Sequence, residues 1–228
     1  MSEEPLLPCV EVQPRTPPAT ASIVWLHGLG ADGHDFEPVA PLLGLPRARV
    51  VFPHAPAIPV TINNGWVMPA WYDIRSLDLD PGRGGREDPA QIRRSAARIA
   101  DLLDRERARG IPSDRIVLAG FSQGAAMALH VGLRYPHRLA GIVALSGYMV
   151  LPEAVAAEQR PENQATPIFF GHGSHDDLVP LFLGRAAHDQ IIALGAERPT
   201  DWRAYPIGHE VSPPEIEAIG AWLRGRLP

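Results

Sequence analysis

The 228-residue chain contains no lysine; all 21 of its basic residues are arginine. Without a lysine amine there is no Schiff-base or pyridoxal-phosphate chemistry and no Ser-Lys dyad. The phosphate-binding lysine of a P-loop is missing too. Cysteine is nearly absent. Cys9 is the single one, so no internal disulfide forms, no cysteine-based zinc cluster is available, and Cys9 reads as a passive residue near the terminus. No apolar run approaches the roughly 18 residues that span a bilayer, so no stable membrane insertion is expected. The arginines are scattered and the net charge is -5, which argues against a nucleic-acid partner. The start, Met1-Ser2-Glu3-Glu4-Pro5, is acidic where a secretory signal would be basic and then apolar, so a cytoplasmic protein is expected.

What is present is an ordinary globular composition, 45% apolar, in a chain long enough for one full core. Short apolar runs alternate with helical patterns. The runs are Ile23–Leu26, Val50–Phe52, Ile116–Ala119, Ile142–Leu145, Ile168–Phe170 and Trp202–Tyr205. Most are continuously apolar, as in strands of a parallel sheet covered on both faces. Asp88-Pro89-Ala90-Gln91 reads as an N-cap, a proline in the first turn and a capping-box Gln, with Gly110 past the helix end. Ser212-Pro213-Pro214-Glu215 reads as a second capping box. A third helix is expected from about Pro180 to Leu194, closed by Gly195. Between Asp35 and Leu43 a helix interior would be interrupted by Pro41. Leu79 to Arg86 reads as a mobile Gly/Arg-rich surface loop. Strand–helix alternation of this kind predicts an α/β fold, a doubly wound sheet with right-handed crossovers, in a single domain over 1–228.

The chemistry-bearing motif is Gly120-Phe121-Ser122-Gln123-Gly124, a G-x-S-x-G pentapeptide. Alone it is weak, because glycine and serine are common. Its setting strengthens it: it follows the run Ile116–Ala119 directly and precedes the helix-forming Ala125-Ala126-Met127-Ala128. A strand-to-helix turn this sharp leaves no room for side chains beside the serine, hence the glycines. The bland alternative is an ordinary glycine-rich turn.

A serine hydroxyl needs an adjacent base, and elbows of this type take their partners in the chain order Ser, acid, His. That order selects His209, in the loop after the last strand. His188 falls in a helix pattern and is expected at the surface. His172 and His175 precede the acid candidates; with Asp176 they could instead be metal ligands, on weak spacing. The acid should follow Ile168–Phe170, where Asp176 and Asp177 are both available and the spare one could cap a helix. Oxyanion donors are expected from the N–H of Gln123 and, in the loop His27-Gly28-Leu29-Gly30, the N–H of Leu29. The segment Ala57–Tyr72 is apolar with few charges. In it Trp66, Met68 and Trp71 are expected to form a substrate wall, the alternative being that they merely cover the sheet edge.

These residues, with Leu26-His27-Gly28-Leu29-Gly30-Ala31-Asp32-Gly33, Phe52-Pro53-His54-Ala55-Pro56, Gly65–Asp73, His172–Asp176 and Gly208-His209-Glu210, carry a resemblance across nearly the whole chain. The chain resembles the carboxylesterase, lysophospholipase and acyl-protein thioesterase family of α/β-hydrolases. The resemblance implies an α/β-hydrolase fold: a mostly parallel central sheet, helices on both faces and no large lid domain. It also selects Asp176, four residues after His172 and followed by Leu178-Val179, as the acid. Pro41 and the Gly/Arg-rich loop at 82–86 depart from the expected pattern. The expected activity is hydrolysis of small carboxylic esters, of short to medium acyl chain, through an acyl-enzyme on Ser122, Asp176 and His209. No cofactor or metal is implied, and the chain is expected as a monomer or homodimer. Thioester or lysophospholipid hydrolysis would use the same residues. A silent α/β-hydrolase serving as a binding module is the alternative from another class, and the intact set of three argues against it.

Overall fold

The computed structural model describes residues 5–76, 86–195 and 198–227. Most of the Gly/Arg-rich loop therefore lies outside the described residues. Seven strands form the main sheet: β1 (Cys9–Val12), β2 (Ala21–Leu26), β3 (Ala48–Pro53), β6 (Ile116–Phe121), β7 (Gly141–Leu145), β8 (Ile168–Gly173) and β9 (Thr200–Tyr205). Their order is β1-β3-β2-β6-β7-β8-β9, and every neighbouring pair is parallel except β1 with β3. β4 (Ala57–Val60) and β5 (Trp66–Pro69) make a separate antiparallel hairpin.

The continuous apolar strands follow from burial on both sheet faces. Side chains alternate along a strand: Ile23 and Trp25 of β2 enter one core, Val24 and Leu26 the other. The first core is closed by α5 (Pro213–Arg224), through Ile219, Trp222 and Leu223, and by a 3₁₀ turn at Glu37–Leu43. The second is closed by α1 (Pro89–Ala108), α2 (Gln123–Arg134), α3 (Val155–Glu158) and α4 (Leu181–Ala193). Among the described residues no inserted domain stands over the sheet. Edge strand β1 is half-buried throughout, and β9 is half-buried or exposed along its length.

Three local expectations change in detail. Asp88 does cap α1, accepting from the N–H groups of Ala90 (2.9 Å) and Gln91 (3.2 Å). Gln91 does not complete a capping box. Its Oε1 accepts from Asp73 N–H at 2.7 Å, while the Asp88 N–H goes to the Asp73 carbonyl. A tertiary partner has replaced the local one. His188 is buried rather than at the surface, because α4 lays Gly184, Ala187, His188 and Ile191 on the sheet, with the His188 ring against Phe170 and Trp202. Pro41 is accommodated in a 3₁₀ turn rather than an α-helix, and Gly44 ends it in the left-handed region.

Candidate active site

Ser122 sits where β6 turns into α2. Its backbone has φ 56° and ψ -119°, a conformation L-residues rarely adopt and one that stores strain. The surroundings hold it there. A methyl added at Gly120 would collide with the Gly124 carbonyl, and one at Gly124 with the carbonyls of Leu26 and His27. The Ser122 N–H donates to Leu145 O at 2.8 Å on the neighbouring strand. Only glycine fits on either side.

The loops after β8 and β9 bring the partners. Ser122 Oγ lies 2.9 Å from His209 Nε2, and His209 Nδ1 lies 2.7 Å from Asp176 Oδ2. An ionised carboxylate only accepts, so Nδ1 carries the proton and Nε2 is left to accept from the serine hydroxyl. The Asp176 side chain is fully buried, and its other oxygen accepts from the N–H groups of Leu178 (3.0 Å) and Val179 (2.8 Å). These N–H groups and the imidazole give every oxygen of the buried carboxylate a partner. Asp177 is exposed and takes no part. The Phe121 ring packs on the imidazole, 4.7 Å between centroids.

His172 and His175 do not converge. His172 is buried, with Nε2 donating to Val179 O at 2.8 Å, and burial lowers its pKa; His175 is exposed. Among the described residues no group of three His, Cys, Asp or Glu side chains could hold a metal ion.

The His27–Gly30 loop lies against the serine: a methyl on Gly28 would stand 3.4 Å from Ser122 Cβ. His27 braces the loop, with Nδ1 donating to Gly28 O (2.7 Å) and Nε2 accepting from Ala55 N–H (3.0 Å). Burial lowers its pKa, which keeps it neutral and able to do both. Gly30, at φ 77°, donates its N–H to Pro69 O at 2.9 Å and so ties the loop to β5. The Leu29 N–H has no backbone acceptor among the described residues. The Gln123 N–H opens α2, where the first-turn donors have no partner within the helix.

The three wall residues separate. Met68 is half-buried beside the loop, with its sulfur 3.7 Å from a methyl built on Gly30. Trp66 projects from the hairpin, 74% exposed. Trp71 does not belong with them: it is 1% exposed, and its indole N–H is donated to His27 O at 2.9 Å. It props the loop from within the core, because β5 has ended and the chain has turned inward by that point. Sequence reasoning also missed the side chain of Gln123. Its Oε1 accepts from Trp71 N–H and its Nε2 donates to Tyr72 O, both at 2.8 Å, locking this segment to the elbow. The glutamine was visible in the motif; its partners, about fifty residues upstream, were not.

A cavity of about 530 Å³ borders Asp176, His175, Phe182, Arg185 and Trp202. Ser122 and the His27–Gly30 loop are not among its walls, so it is no acyl pocket.

Comparison with known proteins adds a lineage to this geometry. A family model described as phospholipase/carboxylesterase matches residues 7–226. Acyl-protein thioesterase 1 of Neurospora crassa is 40% identical over 217 residues, covering 92% of this chain and 88% of that protein. A probable carboxylesterase of Oryza sativa is 34% identical over 209 residues, covering 90% and 77%. Among solved structures, Zea mays acyl-protein thioesterase 2 superposes with a TM-score of 0.85 at 30% identity, covering 97% of this chain and 99% of that one.

Proposed function

The chain belongs to the phospholipase/carboxylesterase family of α/β-hydrolases, a serine hydrolase on esters or thioesters, and from that premise we propose which residues do the work and on what. Ser122 is the nucleophile, His209 the general base and Asp176 the group that orients the base. The observation that carries this reading is the hydrogen-bonded chain Ser122 Oγ–His209 Nε2–His209 Nδ1–Asp176 Oδ2 mounted on a strained turn.

The steps follow from that chain. Ser122 Oγ attacks the carbonyl carbon and its proton passes to His209 Nε2. Asp176 stabilises the imidazolium that results. The N–H groups of Leu29 and Gln123 hold the oxyanion. Collapse expels the alcohol or thiol, which takes the proton from His209. A water then attacks the acyl-enzyme with His209 again as base, releasing the acid. No step calls for a metal, so activity should survive EDTA.

The preferred substrates are small carboxylic esters of short to medium acyl chain, with Trp66 and Met68 along the acyl path. A second reading, thioesters of acylated proteins, draws support from the relatives named acyl-protein thioesterase. Both fit a single-domain cytoplasmic enzyme, as monomer or homodimer; no helix of the described residues is long and apolar enough to cross a membrane. The test is a fluorophosphonate probe followed by matched esters and thioesters of graded acyl length. Labelling at Ser122, absent in Ser122→Ala, with faster turnover of esters is expected. An unlabelled Ser122 would sink the assignment, and a large thioester preference would move the substrate class to the second reading.

A further inference from the structure

The far end of α2 carries a feature that the ester chemistry does not use. A cavity of about 500 Å³ opens between α1, the last turns of α2 and the segment 157–161. Arg134 stands eleven residues beyond Gln123, roughly 16 Å along the helix axis, so this cavity is remote from Ser122. Arg93 comes from α1, His130 and Arg134 from α2, and Glu158, Gln159 and Arg160 from the end of α3 and the residues after it.

The charges on this wall do not cancel. Glu158 is its one carboxylate. One oxygen accepts from Arg93 Nη2 at 2.9 Å and the other from Arg134 Nε at 2.7 Å. Arg160 is exposed and no carboxylate among the described residues pairs with it. Three guanidinium groups against one carboxylate leave two positive charges in excess, in a chain whose net charge is -5. That outweighs the half negative charge of the α2 C-terminus, about 0.5 of a unit. Burial and the neighbouring Arg134 push the His130 pKa down to about 3, so the imidazole is neutral and adds no charge.

Polar atoms are also left without partners here. His130 is 2% exposed and its Nδ1 is enclosed and unpaired. Arg134 gives Nη1 to His130 O at 3.1 Å, which leaves Nη2 enclosed and unpaired. Gln159 Oε1 is in the same condition. Enclosed polar atoms without partners cost stability, but these three lie behind the cavity surface, and the cationic groups open to a ligand are the exposed Arg93 and Arg160.

We propose that this cavity binds a phosphate group, at a site separate from Ser122. A phosphate dianion matches the two excess charges. Its oxygens accept from the exposed guanidinium groups of Arg93 and Arg160. A carboxylate offers only one charge. The phosphate could be free in solution or the headgroup of a lipid, and the two are separated by experiment.

Inorganic phosphate is titrated calorimetrically into the whole chain, into Ser122→Ala and into Arg160→Ala and Arg93→Gln. In parallel, co-sedimentation is measured with phosphatidylcholine vesicles with and without phosphatidic acid. Arg160 is exposed, so its replacement leaves the fold and the ester activity intact. Saturable binding retained in Ser122→Ala and weakened at least tenfold by Arg160→Ala is expected, with Arg93→Gln in the same direction. If only vesicles containing phosphatidic acid bind, again dependent on Arg160, the source is the lipid headgroup. Absence of Arg160-dependent binding in both arms overturns the proposal, as does phosphate binding that Arg160→Ala leaves unchanged.

Discussion

Gly120 and Gly124, on either side of Ser122, are hemmed in by backbone carbonyls, whereas Gly65 at the tip of the β4–β5 hairpin would have nothing within 4 Å of an added methyl. The hairpin joins the surroundings of the elbow at its base, where Gly30 N–H donates to Pro69 O at 2.9 Å. The elbow is over-determined: the neighbouring strand, the His27–Gly30 loop and the Gln123 side chain all fix it. The hairpin pairs only with itself in the sheet hydrogen bonding, and its Trp66 and Val67 are 74% and 68% exposed. Strain such as that at Ser122 persists only where the surroundings over-determine it. Segments with few buried contacts, such as the hairpin tip, sit at the low-stability end of a fold.

The sharpest way to break this contrast is at the acid. Asp176→Asn should lower kcat by about 10³ to 10⁴, because an amide offers His209 the wrong partner. Asp177→Asn, one residue away and exposed, should leave steady-state kinetics nearly unchanged. Equal losses would mean that the rigid side of the site has been assigned to the wrong carboxylate.

Next in size is Trp71→Ala. Removing a fully buried indole should cost about 3–5 kcal/mol in urea unfolding, and activity should fall as the His27–Gly30 loop loses its prop. Trp66→Ala at the hairpin should stay within about 0.5 kcal/mol of the parent. Comparable destabilisation by the two would erase the distinction between the regions.

Glu215 tests how firmly the loop carrying His209 is held. It is buried at the start of α5, accepts the Ser212 N–H at 3.4 Å, and burial raises its pKa from 4.5 to about 7. A carboxyl whose pKa rises on folding contributes stability that is complete below about 4.5 and lost as pH climbs through about 7. That contribution is on the order of 3 kcal/mol. Glu215→Gln should therefore show a smaller fall in urea midpoint between pH 5 and pH 8 than the parent. Identical pH dependence in the two proteins would show that Glu215 titrates normally.

The smallest expected effect is on substrate length. Each buried methylene is worth about 0.8 kcal/mol, so kcat/KM should rise roughly three- to four-fold per acyl carbon until the wall is filled. Trp66→Ala should flatten that slope across p-nitrophenyl esters from acetate to palmitate. An unchanged slope would leave the hairpin tip outside the acyl path.

The parallel sheet, the sharp turn at Ser122 and the loops after β8 and β9 that bear an aspartate pair and His209 were all legible in the residues, because each rests on local rules. Apolar runs of strand length between capped helices admit few arrangements, and a Ser flanked by glycines between strand and helix has one good geometry. The choice between Asp176 and Asp177 was not legible from spacing. It turned on family resemblance, and in the fold one side chain is buried against the imidazole while the other faces water. Trp71 and His188 were misjudged for a related reason. Apolar character and helical spacing say that a residue can be buried, not which wall it will meet. Distant segments decide that: β8 and β9 enclose His188, and Gln123, His27 and Ser95 enclose Trp71. By itself the sequence determined the kinds of element and the chemistry on offer, since dihedral preference, capping and side-chain period act over a few residues. Only the tertiary structure decided which donor met which acceptor, because those pairings bridge dozens of residues and exist only once the sheet is closed on both faces.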